Sequence, residues 1–191
     1  MPSRNGWIVY LPSMAQPSVP VFIRSEEPED LPLIDQINLA AFGRSGEGKL
    51  IRALRESDAW LPGLSLLAAT AEEVIGHLLF TRIHIVGDGQ VWPTVALAPM
   101  AVLPDWQGQQ IGTLLVQVGL QTVAREGHDS VIVLGHPDYY PRFGFVPASQ
   151  WGIRCPFPVP GEAFMALELE EGSLSAKAGT VRYSKPFTEI S

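Results

Sequence analysis

The sequence predicts an α/β (α+β) chain with a mixed central sheet and flanking helices, and three features of its 191 residues carry that prediction. Two apolar, β-branched runs at 64–70 and 74–85 are split only by Ala71-Glu72-Glu73, which makes a hairpin. A third run at 95–103, an amphipathic helix beginning at Ile111 and a short buried run at 130–135 then form a β-α-β crossover with a parallel strand pair. Two helical stretches lie before the hairpin, between residues 26 and 57.

The elements follow in order. Residues 1–20 hold Pro2, Pro12, Pro17 and Pro20 and are expected to be an extended N-terminal extension. Val21-Phe22-Ile23 reads as a short strand. Glu26-Glu27-Pro28-Glu29-Asp30 suits the positive start of a helix whose apolar face is Leu33, Ile37 and Ala41. The glycine-rich stretch Gly43-Arg44-Ser45-Gly46-Glu47-Gly48 reads as a loop, and Leu50 and Leu54 lie on a second helix. Gly87-Asp88-Gly89-Gln90 is a turn into the strand at 95–103. Pro99 interrupts that strand and removes a ladder donor, so it belongs at an edge, a bulge or a point where strands part. Ile111, Leu114, Leu115, Val118 and Thr122 keep helical spacing up to about Gly127. We expect a core over 21–150 and a segment, 151–191, that completes the sheet and helps shape a pocket.

Composition narrows the function. Thirteen Lys and Arg against 20 Asp and Glu leave a net charge of −7, which argues against a broad nucleic-acid surface or a polybasic membrane patch. Apolar runs are far shorter than the ~20 residues of a membrane span, and the block at Trp7–Leu11 is too short for a secretory core, so a cytoplasmic protein is expected. A single cysteine, Cys155, allows no internal disulfide and reads as a buried inert thiol. No metal site is expected: His77 and His84 are seven residues apart on one strand and fall on opposite faces.

The strand-to-helix junction Leu103–Thr113 carries the main chemical signal. It can aim several unpaired backbone N–H groups at one spot, Gly108 and Gly112 permit close approach, and the helix dipole favours negative charge, so a pyrophosphate suits it. Two glycines alone are also what a tight turn and close helix packing use. No Gly-x-Gly-x-x-Gly and no Gly-Lys-Ser/Thr ending is present.

Here the chain resembles the GNAT superfamily of N-acetyltransferases, whose coenzyme A signature is Gln or Arg, two residues, Gly, one residue, then Gly or Ala. Gln107 and Gly112 match its ends, while Gln110 stands where that family has glycine. The stretch from Val95 to Phe145, with Gly135-His136-Pro137 and Tyr139-Tyr140-Pro141-Arg142-Phe143-Gly144-Phe145, and Cys155-Pro156-Phe157-Pro158 beyond it, resembles the YhbS-like branch of bacterial acetyltransferases. The resemblance implies the GNAT fold, with the strand at 95–102 splaying from that at 131–134. It implies acetyl-CoA as cosubstrate, held by Met100, Ala101 and Val102 and by Gln107, Gly108, Gln109, Gln110, Ile111, Gly112 and Thr113. It also implies transfer of the acetyl group, by direct attack, to a primary amine of a small molecule or peptide.

Tyr140, four residues before Gly144, matches the tyrosine that faces the departing thiolate, and with an ordinary pKa near 10 it keeps its proton at neutral pH; Tyr139 should point elsewhere. An attacking amine of pKa ~10.4 must lose a proton at a cost of ~4 kcal/mol near neutral pH. The strand at 95–102 has no carboxylate to take it, which leaves Glu47, His77, His84, His136 or a water relay. Arg125, Arg142, Lys49 or backbone amides would offset the carrier's charge. A non-catalytic CoA-binding or regulatory module and a homodimer both remain open at this point.

Overall fold

The computed structural model describes residues 8–9 and 19–189. Its elements begin with β1 (Ile8–Val9), β2 (Phe22–Ser25), α1 (Leu31–Phe42) and α2 (Gly46–Arg55). Three strands follow, β3 (Ser65–Ala69), β4 (Val74–Gly87) and β5 (Gln90–Val102), then α3 (Ile111–Arg125) and β6 (Ser130–Leu134). The C-terminal part adds β7 (Val146–Pro147), β8 (Ile153–Arg154), β9 (Phe164–Glu168), β10 (Gly179–Arg182) and one turn of helix, α4 (Pro186–Glu189). Among the described residues all ten strands join one sheet, in the order β1-β2-β3-β4-β5-β6-β9-β7, with β10 on β4 and β8 on β10. No helix among them is long and apolar enough to cross a membrane. Apart from β1 and residues 19–20, the expected N-terminal extension lies outside the described residues.

The feature that builds the site is the parting of β5 from β6. They pair in parallel only over Val95–Leu97 against Val131–Val133. Immediately beyond, the β4–β5 register slips between Leu78–Met100 and Phe80–Leu97, so Ala98 and Pro99 share the place opposite Leu79. Proline has no N–H to offer a ladder, and this bulge is where none is required. Met100–Val102 therefore stay paired to β4 on one side while their other edge is released from the sheet.

α3 buries Ile111, Leu115, Val116, Val118 and Val123 against the sheet, a broader stripe than the sequence spacing indicated. Gly119 sets its distance, because a methyl there would come within 2.7 Å of Leu78 and Phe80. α1 is rotated from its expected face: Ile34, Ile37 and Asn38 are buried and Leu33 is exposed. Hydrophobic spacing cannot register a stripe that includes a buried asparagine. α2 starts at Gly46, so Glu47 stands in the first turn of a helix and not in a loop. Gly43, at φ 69°, ends α1 and leaves only a short joint.

The C-terminal segment is part of the sheet's interior: β9 pairs with β6 on one side and β7 on the other, and β10 extends the β4 edge beyond β3.

Candidate active site

The N-terminus of α3 is open. Gln110 holds the N-cap position with φ 67° and ψ 5°, and no side chain caps the helix. The first amides of α3 thus lack intrahelical acceptors and sit at the positive end of the dipole. A cleft of about 470 Å³ covers them, bounded by Met100–Val102 on one side and by Gln107, Gly108 and Gln110–Thr113 on the other. Gln107 Nε2 donates to Val102 O at 3.0 Å and ties the turn to the free end of β5. The Gln109 side chain is folded back, donating to Asp105 O at 3.0 Å, and does not line the cleft. Only its main chain could serve a ligand. Gly112 is the point of closest approach: a methyl there would lie 2.9 Å from Tyr139 Oη.

Gln110 occupies left-handed backbone that costs a side-chain-bearing residue ~1–2 kcal/mol. Gln110→Gly relieves that strain and loses part of the gain to a freer unfolded chain, so we expect a net stabilisation of about 1 kcal/mol, or about 2–4 °C in Tm. A thermal melt of both proteins checks it; an unchanged or lower Tm would mean the turn carries no strain.

A second space, of about 720 Å³, fills the opening between β5 and β6. Phe42, Met100, His136, Tyr139 and Arg142 line both it and the cleft, so the two adjoin. Leu97, Ala98, Pro99, Leu134 and Tyr140 form its floor, and Phe42, Glu47 and Leu50 of the α1–α2 region its wall. No residue of 151–191 is among those lining it; the strands of that segment join the sheet on β6 and β4.

Tyr140 is buried with its ring against Gly135, where a methyl would overlap it at 2.2 Å, and edge-on to Tyr139 and Phe145 at 5.1 and 5.6 Å between centroids. Burial, with Tyr139 close by, pushes its hydroxyl well above the usual tyrosine range. Such a phenol holds its proton firmly and acts as a hydrogen-bond donor. Complete transfer to a thiolate of pKa ~8.5 would be uphill. Tyr139 also faces the site, at the junction of cleft and cavity. Its position next to the matched tyrosine gave no signal of this, since the 3₁₀ turn Tyr140–Phe143 lets neighbouring side chains share one space.

The proton-acceptor candidates separate by location. Glu47 lines the cavity with its side chain only 12% exposed, and Oε1 accepts from Arg44 Nε and Nη2 at 3.0 and 2.6 Å. His136 lines both spaces and is exposed. His84 belongs to a separate cleft with Asp58, Arg82 and Arg182. His77, on β4 between β3 and β5, is fully buried and lines neither space. Asn38 Nδ2 donates to its Nδ1 at 3.2 Å, so Nε2 carries the proton and gives it to Ser65 Oγ at 3.0 Å. Loss of solvation, and Arg55 nearby, lower its pKa from 6.5 to about 3. That makes it a structural residue of the core.

A histidine whose folded pKa lies below its unfolded value stabilises the protein fully above pH 6.5 and progressively less as the pH falls toward 3. We expect His77 to cost about 1.6 kcal/mol of stability between pH 6.5 and 5, a loss that His77→Gln abolishes. Urea unfolding of both proteins at the two pH values measures it; equal slopes would show that His77 titrates normally.

Of the basic residues considered for charge balance, Arg142 borders the cleft, while Arg125 and Lys49 do not. The Arg142 guanidinium stacks on Tyr139 at 4.6 Å, and its Nε donates to Tyr139 O at 2.9 Å. Cys155 is half-buried, with its thiol pKa raised by burial. Phe42 and Trp106, on the walls of the cleft, were not singled out in the sequence, which marks them only as isolated aromatics beside loops.

A family model described as "Acetyltransferase (GNAT) domain" matches residues 63–147. The chain is 36% identical over 171 residues to "Uncharacterized N-acetyltransferase YhbS" of Escherichia coli (strain K12), covering 89% of this chain and 100% of that protein. It is 40% identical over 130 residues to "Uncharacterized N-acetyltransferase YjhQ" of the same organism, covering 68% and 72%. Among solved structures, that of the GNAT family N-acetyltransferase YhbS from Escherichia coli in complex with CoA superposes with a TM-score of 0.83 at 32% identity, over 94% of this chain and 98% of that one. A GNAT family acetyltransferase from Brucella melitensis in complex with acetyl-CoA superposes with a TM-score of 0.71 at 30% identity, over 87% and 97%.

Proposed function

The chain belongs to the GNAT N-acetyltransferases, and from that premise we propose that it moves the acetyl group of acetyl-CoA to a primary amine by direct attack, with no covalent intermediate on the enzyme. The observation that carries the proposal is the adjoining of two spaces: an uncapped helix N-terminus under one, and an opening between diverging strands, bordered by a buried tyrosine and a carboxylate, under the other. Acetyl-CoA would supply an activated acyl group on a thiol leaving group.

The residues divide the work. The amides of 108–113 bind the diphosphate, so an acidic protein holds an anionic carrier through its main chain. The released edge of Met100–Val102 pairs with the amide-bearing arm, and an N–H there meets the acyl oxygen as negative charge develops on it. Tyr140 donates a hydrogen bond to the departing sulfur. Because its hydroxyl keeps its own proton, the proton that ends on sulfur comes from the attacking nitrogen. Glu47 takes the proton that an ammonium must lose before it can attack; among the sequence candidates it combines cavity position with a carboxylate shielded from solvent.

The test is release of free thiol from acetyl-CoA. We expect a rate that depends on added amine, saturates with it, and is matched mole for mole by N-acetylated product. Calorimetric binding of acetyl-CoA with no thiol release across a broad amine panel would instead favour a CoA-binding regulatory module.

A further inference from the structure

The geometry points to a narrow acceptor class: we propose that the amine is a small, singly charged primary amine on an apolar body, with Glu47 as its counter-ion and Phe42, Leu50, Leu97 and Leu134 as its wall. This rests on the acetyl-transfer reading above.

The two oxygens of Glu47 are in different situations. Oε1 accepts both bonds from Arg44, whose side chain is 75% exposed and approaches from the solvent side. Oε2 is buried with no hydrogen-bond partner at all. A buried carboxylate oxygen is costly to leave without a donor, and natural proteins rarely do so unless a water, ion or ligand completes it. Glu47 borders the cavity, and a donor bound there would lie beside this carboxylate. An ammonium group has three N–H donors and the right charge.

What surrounds Glu47 limits the rest of the molecule. The neighbouring wall and floor are apolar: Phe42, Leu50, Leu97, Pro99 and Leu134. Phe42 and Leu134 stay 41% and 42% exposed, two large apolar side chains uncovered beside the opening. Apart from the phenols of Tyr139 and Tyr140, the other charged or titratable groups bordering the cavity, Asp138, His136 and Arg142, are exposed, and Arg142 is already engaged with Tyr139. A second ammonium on the acceptor would therefore meet no second buried carboxylate, and sugar hydroxyls or a peptide unit lying on Phe42, Leu50, Leu97 and Leu134 would be desolvated without a partner there. Desolvating a polar group that finds no partner costs free energy and weakens the binding of such acceptors. An apolar body covers Phe42 and Leu134 and loses nothing.

The experiment compares 2-phenylethylamine and isoamylamine with glucosamine, putrescine and glycylglycinamide, in amine-dependent thiol release and in calorimetric titration of the acetyl-CoA-saturated protein. We expect kcat/KM for the two apolar amines to exceed the polar ones by about tenfold or more. 2-Phenylethanol, which lacks the charge, should not compete. Glu47→Gln should weaken 2-phenylethylamine binding by about thirtyfold while acetyl-CoA still binds normally. Leu134→Ser, at an exposed position, should raise KM for 2-phenylethylamine about fivefold. Equal or better use of glucosamine or putrescine, or competition by 2-phenylethanol as strong as by the amine, overturns the acceptor class and leaves acetyl transfer standing. Thiol release with none of the amines, despite bound acetyl-CoA, overturns the acetyl-transfer reading and this inference with it. Should Glu47→Gln fail to fold, the amine panel, the alcohol and Leu134→Ser still decide the matter.

Discussion

Tyr140→Phe lowers kcat by about 10²-fold and leaves acetyl-CoA affinity within about twofold. The ring is what the core requires: it lies on Gly135 and edge-on to Tyr139 and Phe145, and phenylalanine keeps every one of those contacts. Only the oxygen is removed, and with it the donor proposed to meet the departing sulfur. Because burial raises the Tyr140 pKa far above neutrality, no tyrosinate limb should appear in the pH–rate profile of the wild type below pH 10. Steady-state kinetics with calorimetric Kd values separate the two effects. Equal turnover in both proteins would remove Tyr140 from its role.

Thr113→Asp is the second large effect, and its two consequences have opposite signs. Thr113 is the third residue of α3 and borders the cleft. A carboxylate in a helix's first turn stabilises it by about 0.3–1 kcal/mol. The same charge about 5 Å from a diphosphate costs about 3 kcal/mol at an effective dielectric near 20, or about 10²-fold in affinity. We therefore expect a protein with an equal or higher Tm that binds acetyl-CoA about 10²-fold more weakly, read by thermal melting and calorimetry. A variant that melts lower and binds as before would mean that the diphosphate is not held at this helix end.

The sequence made some of this plain and concealed the rest, for physical reasons. Pro99 announced the parting of β5 and β6 because a missing donor in a strand has few places to go, and the structure puts it at the bulge just past Leu97. The 107–112 turn was readable because anion binding by backbone needs glycines and an open helix end, a local requirement. Gln110 is the same rule seen from its exception: its φ of 67° is the value that glycine would ordinarily supply. Burial of polar groups, by contrast, depends on partners far along the chain. His77 looked like a free base on a strand until Asn38, 39 residues away, and Ser65 closed around it. Glu47 reads in the sequence as part of a glycine-rich loop, and only the folding of α1 and α2 over the sheet shows that its Oε2 is enclosed. The cavity proposed to take the acceptor draws on residues from Phe42 to Arg142, a set no single stretch of sequence encodes.

The most direct test of the central claim is a crystal structure of the protein with acetyl-CoA bound. We expect the diphosphate oxygens within about 3 Å of the amides of residues 108–113, and the thioester between β5 and β6 within reach of Tyr140 Oη. A carrier found instead in the separate cleft of Arg82, Arg182 and Lys185, with the α3 N-terminus empty, would contradict the account.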